Sequence, residues 1–468
     1  MSSLHDARRP GLGWTQAAFG LEPTWVHELS LDAVREVCCE HLGLPFGNTK
    51  DEGEDTCVVT FLAAGAFNRV YTVDSVKGKF IMRVSLPVDP IFKTRGEVST
   101  LRFIRENTTI PVPKVIAFDD TRSSKIGFEW ILMEFIPGQS LRYQWRKLTM
   151  DQKTTLVQRV AEMQAQLFQF RPIGGSPTLR GIGTLGTEKE FDVTGRIVSY
   201  SFMEGNCYDY DVPRGPFRSS HDWLDSRLQM ICLQKLEEIG RAEDDEDKAL
   251  ASADIPPTPT YDAERTAIYH HDLSEMNIMV DEQGHITGIV DWECVSTMPS
   301  WMITRAPVFI HSNRKRKEKP VRDGYADETE EDQELSRKYD GNRPLDNEGK
   351  NELYWIHLKE YEATQLKKVY DTRMQQILPA WNEMVQDAEL QVKFYLNLQN
   401  AAKSWATNAT CVWAKAIAKG ITIGRDEVSD SEDDGDGADD AGSEDNEDES
   451  DADADDEAED SEEEEREG

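Results

Sequence analysis

The chain contains little that would mark it as secreted, membrane-spanning or held together by metal or disulfides. Its seven cysteines are odd in number, widely scattered among 468 residues and free of metal-site spacing, which favours reduced thiols inside a cell. No run of about 18 apolar residues exists to span a bilayer. The opening MSSLHDARRPGLGW lacks the apolar stretch of a secretory signal. These absences predict a soluble intracellular protein, cytoplasmic or, if the basic run RKRKEK (314–319) acts as an import signal, nuclear.

Positive charge is also scarce. The net charge is -36, and residues 426–468 hold 26 of the 88 acidic residues but only one basic residue, which leaves a net of -11 on residues 1–425. This modest balance argues against nucleic-acid binding by the folded part. The acidic tail has too few apolar side chains to fold by burial and is expected to be disordered, as is the highly charged segment 313–350.

What the sequence does contain is a change of hydrophobic period along the chain. Five runs rich in β-branched and aromatic residues predict strands: CVVTFL, RVYTV, KFIMRVSL, KVIAF and FEWILMEF. One helical segment, KTRGEVSTLRFIREN, interrupts them, and the chain turns mainly helical after IPG at 136–138. We therefore predict a helical extension (1–50), a sheet lobe (51–136), a helical lobe (137–425) and a disordered tail (426–468).

The stretch HHDLSEMNIMVDEQGHITGIVDWE, residues 270–293, concentrates carboxylates and an amide within an otherwise largely apolar span. Phosphoryl transfer needs an acceptor hydroxyl held in line and a divalent cation to neutralise charge on the phosphate oxygens. Magnesium takes oxygen ligands, typically from one or two protein groups with phosphates and water. Asp272 fits the role of orienting the hydroxyl, and Asn277 and Asp291 fit the role of holding the metal.

The spacing of these residues has a structural reason. IleMetVal and IleThrGlyIleVal are predicted as two strands joined by AspGluGlnGly, so Asn277 and Asp291 would stand near the two ends of one hairpin. A hairpin returns its ends to each other. Both metal ligands would then face one point, with Asp272 on the preceding loop.

HxDLxxxN followed by IVDWE resembles the catalytic block of the aminoglycoside phosphotransferase family, within the protein-kinase-like superfamily. The segments PRGPFRSSHDWL (213–224) and PVPKVIAFD (111–119) resemble fungal members of that family. The resemblance covers roughly residues 55–310. It implies an α+β, bilobal protein-kinase-like fold with a small five-stranded antiparallel N-lobe, a mainly helical C-lobe and ATP and Mg2+ as cofactors.

The family resemblance also implies a nucleotide-binding loop upstream. LAAGAFNRVY (62–71) joins the first two predicted strands and resembles the phosphate-covering loop. Gly65 occupies its middle glycine and Asn68 replaces another glycine. Phe67 is expected at the tip of the turn.

On the third predicted strand, Ile81 and Arg83 share one face. The resemblance implies that Ile81 lies over adenine and that Arg83 clasps the phosphates, with Glu97 of the following helix paired to it. The family usually has lysine at position 83. The hinge would offer adenine the backbone of Glu134 and Ile136.

Two residues of the block have a less specific interpretation. His270 is expected to brace the loop through a hydrogen bond to nearby backbone rather than to move protons. Glu293 could bind a second metal or an acceptor amine, although a supporting role behind the metal ligands is the favoured interpretation.

The sequence thus predicts an enzyme that uses ATP and Mg2+ to phosphorylate a hydroxyl of a small molecule, with no membrane or nucleic-acid partner for the folded part. One alternative is a pseudokinase or nucleotide-binding scaffold, favoured by Arg83 and the reduced glycine loop. A second is an interaction protein that acts through its acidic tail, which would bind basic proteins.

Overall fold

The computed structural model describes residues 9–17, 20–46, 57–169, 181–186, 194–241, 266–312, 314–339 and 345–401. All of these belong to the first of two units of the chain, Met1–Ala406. The acidic tail, with its predicted disorder and its predicted binding of basic proteins, lies outside the described residues.

Five antiparallel strands form the sheet of the first lobe, as the sequence predicted. In space they follow the order β3, β4, β5, β7, β6, and their bounds are β3 (Cys57–Ala64), β4 (Asn68–Ser75), β5 (Gly78–Ser85), β6 (Val115–Asp119) and β7 (Glu129–Glu134). A helix, α2 (Phe92–Asn107), packs against β6 and β7. The helix therefore lies against the β6–β7 edge of the sheet, and its Glu97 reaches Arg83 of the neighbouring strand β5.

The N-terminal extension contains the predicted helix, α1 (Leu31–Leu42), whose first turn is capped because the Ser30 hydroxyl accepts from the Ala33 N–H. The helix packs against β3 and buries Val34 and Val37 in the core of the sheet lobe. An antiparallel hairpin that the sequence did not predict precedes it, formed by β1 (Leu12–Ala17) and β2 (Gly20–Trp25). The extension is thus a brace on the sheet.

The second lobe is mainly helical. Two of its long helices, α4 (Met150–Gln169) and α8 (Glu352–Ile377), pack against each other around a core that includes Leu366 and Tyr370. The remaining helices are α3 (Leu141–Gln144), α5 (Tyr200–Met203), α6 (Ser220–Arg241), α7 (Glu330–Tyr339) and α9 (Trp381–Ala401).

Two small sheets lie within the helical lobe. One has the order β12, β11, β8 and the other β10, β13, β9, with bounds β8 (Gln139–Ser140), β9 (Gly183–Thr184), β10 (Thr266–Tyr269), β11 (Ile278–Val280), β12 (Ile286–Ile289) and β13 (Ser296–Pro299). Gly138 has a φ of 110°, and a Cβ at this position would lie 2.4 Å from the Val280 carbonyl oxygen. The chain leaving the first lobe therefore runs close against the β11–β12 hairpin.

The charged segment 313–350 was expected to be loose, and in its described parts this expectation is wrong. The Arg316 N–H donates to the Thr364 hydroxyl at 3.1 Å, and the Trp355 indole donates to the Asn347 carbonyl at 2.9 Å. Arg146 donates to the Asp346 carbonyl at 2.6 Å. Hydrogen bonds to the helical lobe order this segment where apolar burial does not.

Candidate active site

Asp272 lies on the loop between β10 and β11, and its carboxylate is held by Asn277. The Asn277 side-chain amide donates to the Asp272 carboxylate at 2.8 Å and to the Asp272 carbonyl at 2.9 Å. Asn277 is buried, whereas Asp272 is half-buried. The amide thereby fixes the direction of a carboxylate that remains open to solvent on one side.

The β11–β12 hairpin brings Asp291 to the same place. Ile278 pairs with Ile289, and the Val290 N–H extends the ladder by donating to the Asn277 carbonyl at 2.9 Å. Asp291, the next residue, has a φ of 62°. Such a conformation costs a non-glycine residue about 1–3 kcal/mol and tends to occur at functional sites.

His270 supports the segment that carries Asp291 by contacting the residues on either side of it. Its Nε2 lies 3.4 Å from the Val290 carbonyl oxygen, and its ring packs edge-on against Trp292 at a centroid distance of 4.8 Å. Burial, with a smaller contribution from His271, lowers the pKa of His270 from its ordinary value of 6.5 to about 3. The ring is neutral at physiological pH, which suits a brace that donates one hydrogen bond.

Arg83 links the sheet lobe to this hairpin. Its Nη1 lies 2.8 Å from a Glu97 carboxylate oxygen and 3.1 Å from Asp291 Oδ1, and its Nη2 pairs with Glu293. Burial alone would lower the pKa of the guanidinium, but these three carboxylates outweigh burial and raise it. Arg83 is therefore a permanently charged, buried cation shared by three anions.

The three carboxylates differ in how well their charge is stabilised. Burial raises the pKa of Glu97 to about 7 although Arg83 opposes it. Burial also raises the pKa of Asp291, with Glu293 adding to the effect. Burial acts in the same direction on Glu293, but the two cations Arg83 and Lys93 outweigh it and lower the pKa of that carboxyl. Burial thus disfavours the charge of Asp291 more than the neighbouring cations offset it, and perturbed carboxyls of this kind cluster at functional sites.

Lys93, on the first turn of α2, was missed by sequence reasoning. Its side chain is 1 % exposed, and its Nζ lies 2.6 Å from a Glu293 carboxylate oxygen. It also donates to the Asn68 side-chain oxygen at 2.9 Å, while the Asn68 amide donates to Glu293 at 2.9 Å. The available signal was its spacing of four residues before Glu97, which places both side chains on one helix face.

The turn between β3 and β4 differs from expectation in part. Gly65 is exposed with open space around it, and its N–H donates to the Asn68 carbonyl at 2.9 Å. Phe67 does not stand at the tip: it is buried, with its ring centroid 5.7 Å from that of Tyr200. The Asn68 side chain points into the network of Lys93. Only the backbone around Gly65 therefore faces outward as a phosphate-covering loop would.

The predicted adenine side of the site lies on β5 and after β7. Ile81 is half-buried and pairs with Met133 across the sheet. The Glu134 N–H already donates to the Lys114 carbonyl at 2.9 Å. The Glu134 N–H is therefore already bonded, and its carbonyl oxygen is the backbone group that can accept a hydrogen bond from adenine. Ile136 is half-buried with its side chain close to Gly288 of the hairpin.

The residues present fit a magnesium ion. No group of three or more His, Cys, Asp and Glu side chains in the described part of the chain could hold a metal, but magnesium at a phosphoryl-transfer site needs only one or two protein ligands. The Asn277 amide nitrogen is occupied by Asp272, which leaves its carbonyl oxygen for a cation. Asp291 Oδ1 is buried and, beyond its ion pair with Arg83, accepts no hydrogen bond among the described residues.

The antiparallel sheet lobe, the connecting segment and the helical lobe define a protein-kinase-like fold. The family model "APH: Phosphotransferase enzyme family" matches residues 58–302, just over half of the chain. The chain belongs to this phosphotransferase family.

Curated relatives match shorter parts of the chain. A subtelomeric hrmA-associated cluster protein of Aspergillus fumigatus is 31% identical over 182 residues, which cover 36% of this chain and 34% of that protein. Altered inheritance of mitochondria protein 9 of Eremothecium gossypii is 28% identical over 160 residues, which cover 31% and 25%. The match thus spans about a third or less of the length of these relatives.

Solved structures are similar over more of the chain at low identity. The streptomycin-ATP-APH(2")-IIa ternary complex is 11% identical with a TM-score of 0.42, covering 86% of this chain and 99% of that one. A putative fructosamine-3-kinase from Haemophilus somnus is 13% identical with a TM-score of 0.40, covering 83% and 97%.

The relatives correct the predicted location. Relatives from Eremothecium gossypii, Candida tropicalis and Saccharomyces cerevisiae are named as mitochondrial proteins, and against them the prediction of a cytoplasmic protein is wrong. That prediction relied on the absence of an apolar signal, whereas mitochondrial targeting segments are amphipathic and rich in arginine. Within the described residues, no helix combines the length and apolar character needed to cross a membrane.

Proposed function

We propose that the protein transfers the terminal phosphoryl group of ATP to a hydroxyl of a small molecule. The observation that supports this most is the position of Asn277. Its side-chain amide donates a hydrogen bond to the Asp272 carboxylate, and its backbone carbonyl accepts one from the N–H of Val290, the residue before Asp291. The acceptor-orienting carboxylate and both magnesium ligands are thereby tied together by one residue.

In this proposal each side chain has one task. Asp272 accepts a hydrogen bond from the acceptor hydroxyl, directs its oxygen towards the γ-phosphorus and takes up the proton as the new P–O bond forms. The bond from that phosphorus to the β–γ bridging oxygen breaks in the same step, and ADP leaves. Asn277 and Asp291 would hold Mg2+, which neutralises charge on the phosphate oxygens when bound. Arg83 would contact the phosphates, and the ion pair with Glu97 would hold the Arg83 guanidinium in place. The backbone around Gly65 would cover the phosphates.

The test is a mass-spectrometric screen of alcohols and aminoalcohols incubated with magnesium and ATP. The wild type should add a phosphoryl group to at least one compound, and Asp272→Ala should lose this activity while retaining nucleotide binding. Glu282→Ala is the matched control, because this exposed acid lies on the turn of the same hairpin and should leave turnover unchanged. Loss of activity in neither variant, or no turnover by the wild type across the panel, would contradict the proposal.

A nucleotide-binding scaffold is the second candidate, and one observation favours it. Arg83, the cation expected to hold phosphates, is shared among Glu97, Asp291 and Glu293, and a guanidinium so engaged is less free than an exposed lysine. A scaffold would be stabilised by magnesium and ATP without consuming ATP. An enzyme would show both the stabilisation and the turnover.

A further inference from the structure

A buried lysine carries a second positive charge into the candidate active site. Lys93 is almost fully buried, and its Nζ contacts the Glu293 carboxylate at 2.6 Å, the Asn68 side-chain oxygen at 2.9 Å and the Ser85 hydroxyl at 3.4 Å. Its charge leaves water only at a large cost unless it is paired and hydrogen-bonded. The three contacts supply this pairing and hydrogen bonding, and they belong to the same network of side chains as Arg83.

Lys93 and Glu97 lie one helical turn apart on the same face of α2. Glu97 contacts Arg83 at 2.8 Å, and Arg83 in turn contacts Asp291 at 3.1 Å. Lys93 contacts Glu293 directly. The helix is therefore joined to the Asp291–Glu293 segment at two points, one through Glu97 and Arg83 and the other through Lys93.

The charges of this network do not balance. Arg83 and Lys93 contribute two positive charges, and Glu97, Asp291 and Glu293 contribute three negative ones when all three are ionised. The Asp291 side chain is 36% exposed, against 13% for Glu293 and 2% for Glu97. The excess negative charge thus lies on the carboxylate that is open to a cation.

Removing Lys93 would change this distribution. Glu293 would keep its buried charge with Arg83 as its only cationic partner, and Arg83 would be drawn away from Asp291. On this basis, and resting on the proposed function, we propose that Lys93 is a positioning residue. It neutralises Glu293, so that Arg83 can serve Asp291 and the phosphates and Asp291 is held where it can bind the metal.

This division of charge also accounts for arginine at position 83. A guanidinium presents several donors in a rigid fork and can contact several carboxylates at once, whereas an ammonium is a point charge. Arg83 spans the gap from Glu97 to the Asp291–Glu293 segment, and Lys93 supplies the charge that Glu293 still needs. The two cations form one functional unit.

The test measures metal binding and protein stability rather than activity alone. Mn2+ affinity in the presence of a non-hydrolysable ATP analogue is followed by electron paramagnetic resonance for Lys93→Met, Lys93→Arg and the control Lys153→Met. Lys153 matches Lys93 because it is a buried lysine paired with a buried glutamate, Glu362, at 2.7 Å, and its partner is not a residue of the proposed site. Loss of a group that orients a metal ligand costs about 10–100-fold in affinity. We expect at least a tenfold loss in Lys93→Met, near wild-type affinity in Lys93→Arg and no loss in Lys153→Met.

A second measurement needs no nucleotide. The melting temperature is measured for Lys93→Met and Asp291→Asn singly and together. The double variant should lose less than the sum of the two single changes, because the neutral amide at position 291 releases Arg83 to Glu293. For the pair Lys153→Met and Asp291→Asn, the change in melting temperature of the double variant should equal the sum of the two single changes. Additive shifts in the Lys93 cycle, or unchanged Mn2+ affinity in Lys93→Met, would overturn the inference. A wild type that binds no metal–nucleotide complex would instead refute the proposed function, and the melting cycle would still decide the role of Lys93.

Discussion

The side-chain amide of Asn277 donates to the Asp272 carboxylate at 2.8 Å. The same residue accepts the N–H of Val290 through its backbone at 2.9 Å. One buried asparagine therefore fixes both the proposed acceptor-orienting carboxylate and the start of the segment that carries Asp291.

Asn277→Asp should separate these two tasks. The new carboxylate can still bind a divalent cation, but it faces the Asp272 carboxylate at hydrogen-bonding distance, and like charges this close raise the pKa of one another. We expect turnover to fall by about 100-fold at neutral pH, the lower end of the range of about 100–10,000-fold attributed to a general base, and the acid limb of the pH–rate profile to move to higher pH. Steady-state kinetics across pH with varied Mg2+ tests this. An unchanged profile would show that Asn277 does not orient Asp272.

Arg83 should be important for stability as well as for binding. Arg83→Met leaves the buried Glu97 without its cation, and uncompensated buried charges typically cost about 3–5 kcal/mol. Arg83→Lys retains the charge but not the fork, so its loss should be smaller. Urea denaturation measures both values. Arg316→Lys, a control at a more exposed arginine–glutamate contact, should change the free energy of unfolding little.

Asp291→Asn should uncouple stability from metal binding. Burial raises the pKa of Asp291, which means that the folded protein disfavours its charged form. The neutral amide should therefore leave the unfolding free energy of the nucleotide-free protein unchanged or higher, an outcome common at functional sites. The stabilisation produced by magnesium with ATP should disappear in the same variant. A marked loss of stability in the nucleotide-free variant would mean that Asp291 serves the fold.

His270 should make stability depend on pH. Its folded-state pKa of about 3 lies below its ordinary value of 6.5, so the folded protein binds fewer protons than the unfolded chain between these values. Its contribution is complete above pH 6.5 and is lost as the pH falls towards 3, with a slope of up to about 1.4 kcal/mol per pH unit. Glu97, whose raised pKa gives a slope of opposite sign, contributes equally to the wild type and to a His270 variant. The difference in unfolding free energy between the wild type and His270→Gln, measured by urea denaturation from pH 7 to pH 5, should therefore show the His270 slope. The difference between the wild type and His285→Gln, at a 73% exposed side chain, should not.

Much of the fold follows from local pattern. The five strands of the first lobe were predictable because runs of β-branched and aromatic residues are separated by turns, and α1 because Ser30 caps an amphipathic run. The β11–β12 hairpin was predictable from AspGluGlnGly between two apolar runs. These signals operate over a few residues, where spacing alone determines the element.

Elements that depend on distant contacts were not predictable. The two strands of the β1–β2 hairpin, LGWTQA and GLEPTW, contain glycine and proline, which are residues of weak strand propensity. It is supported by Trp25, whose ring lies 4.9 Å from that of Phe128, and by Arg9, which donates to the Met203 and Gly205 carbonyls. None of these partners is near in sequence. Tertiary packing here overrides local propensity.

The candidate site shows the same limit. The resemblance pointed to Arg83 and Glu97, and the structure places them 2.8 Å apart. In sequence, Lys93 resembles an ordinary surface lysine near the start of a helix, because nothing in its neighbourhood reveals Glu293, which lies 200 positions further along the chain. Phe67 was expected at the tip of the turn because its role was inferred from a loop whose glycines are largely replaced, and its side chain is instead buried.

The central claim is that Asn277 and Asp291 bind magnesium together with ATP beside Asp272. The most direct measurement is a thermal-shift titration with ATP, with and without Mg2+, on the wild type and on Asp291→Ala. The account predicts stabilisation of the wild type by ATP that requires Mg2+ and is absent in Asp291→Ala. Stabilisation that is equal without Mg2+, or equal in Asp291→Ala, would contradict it.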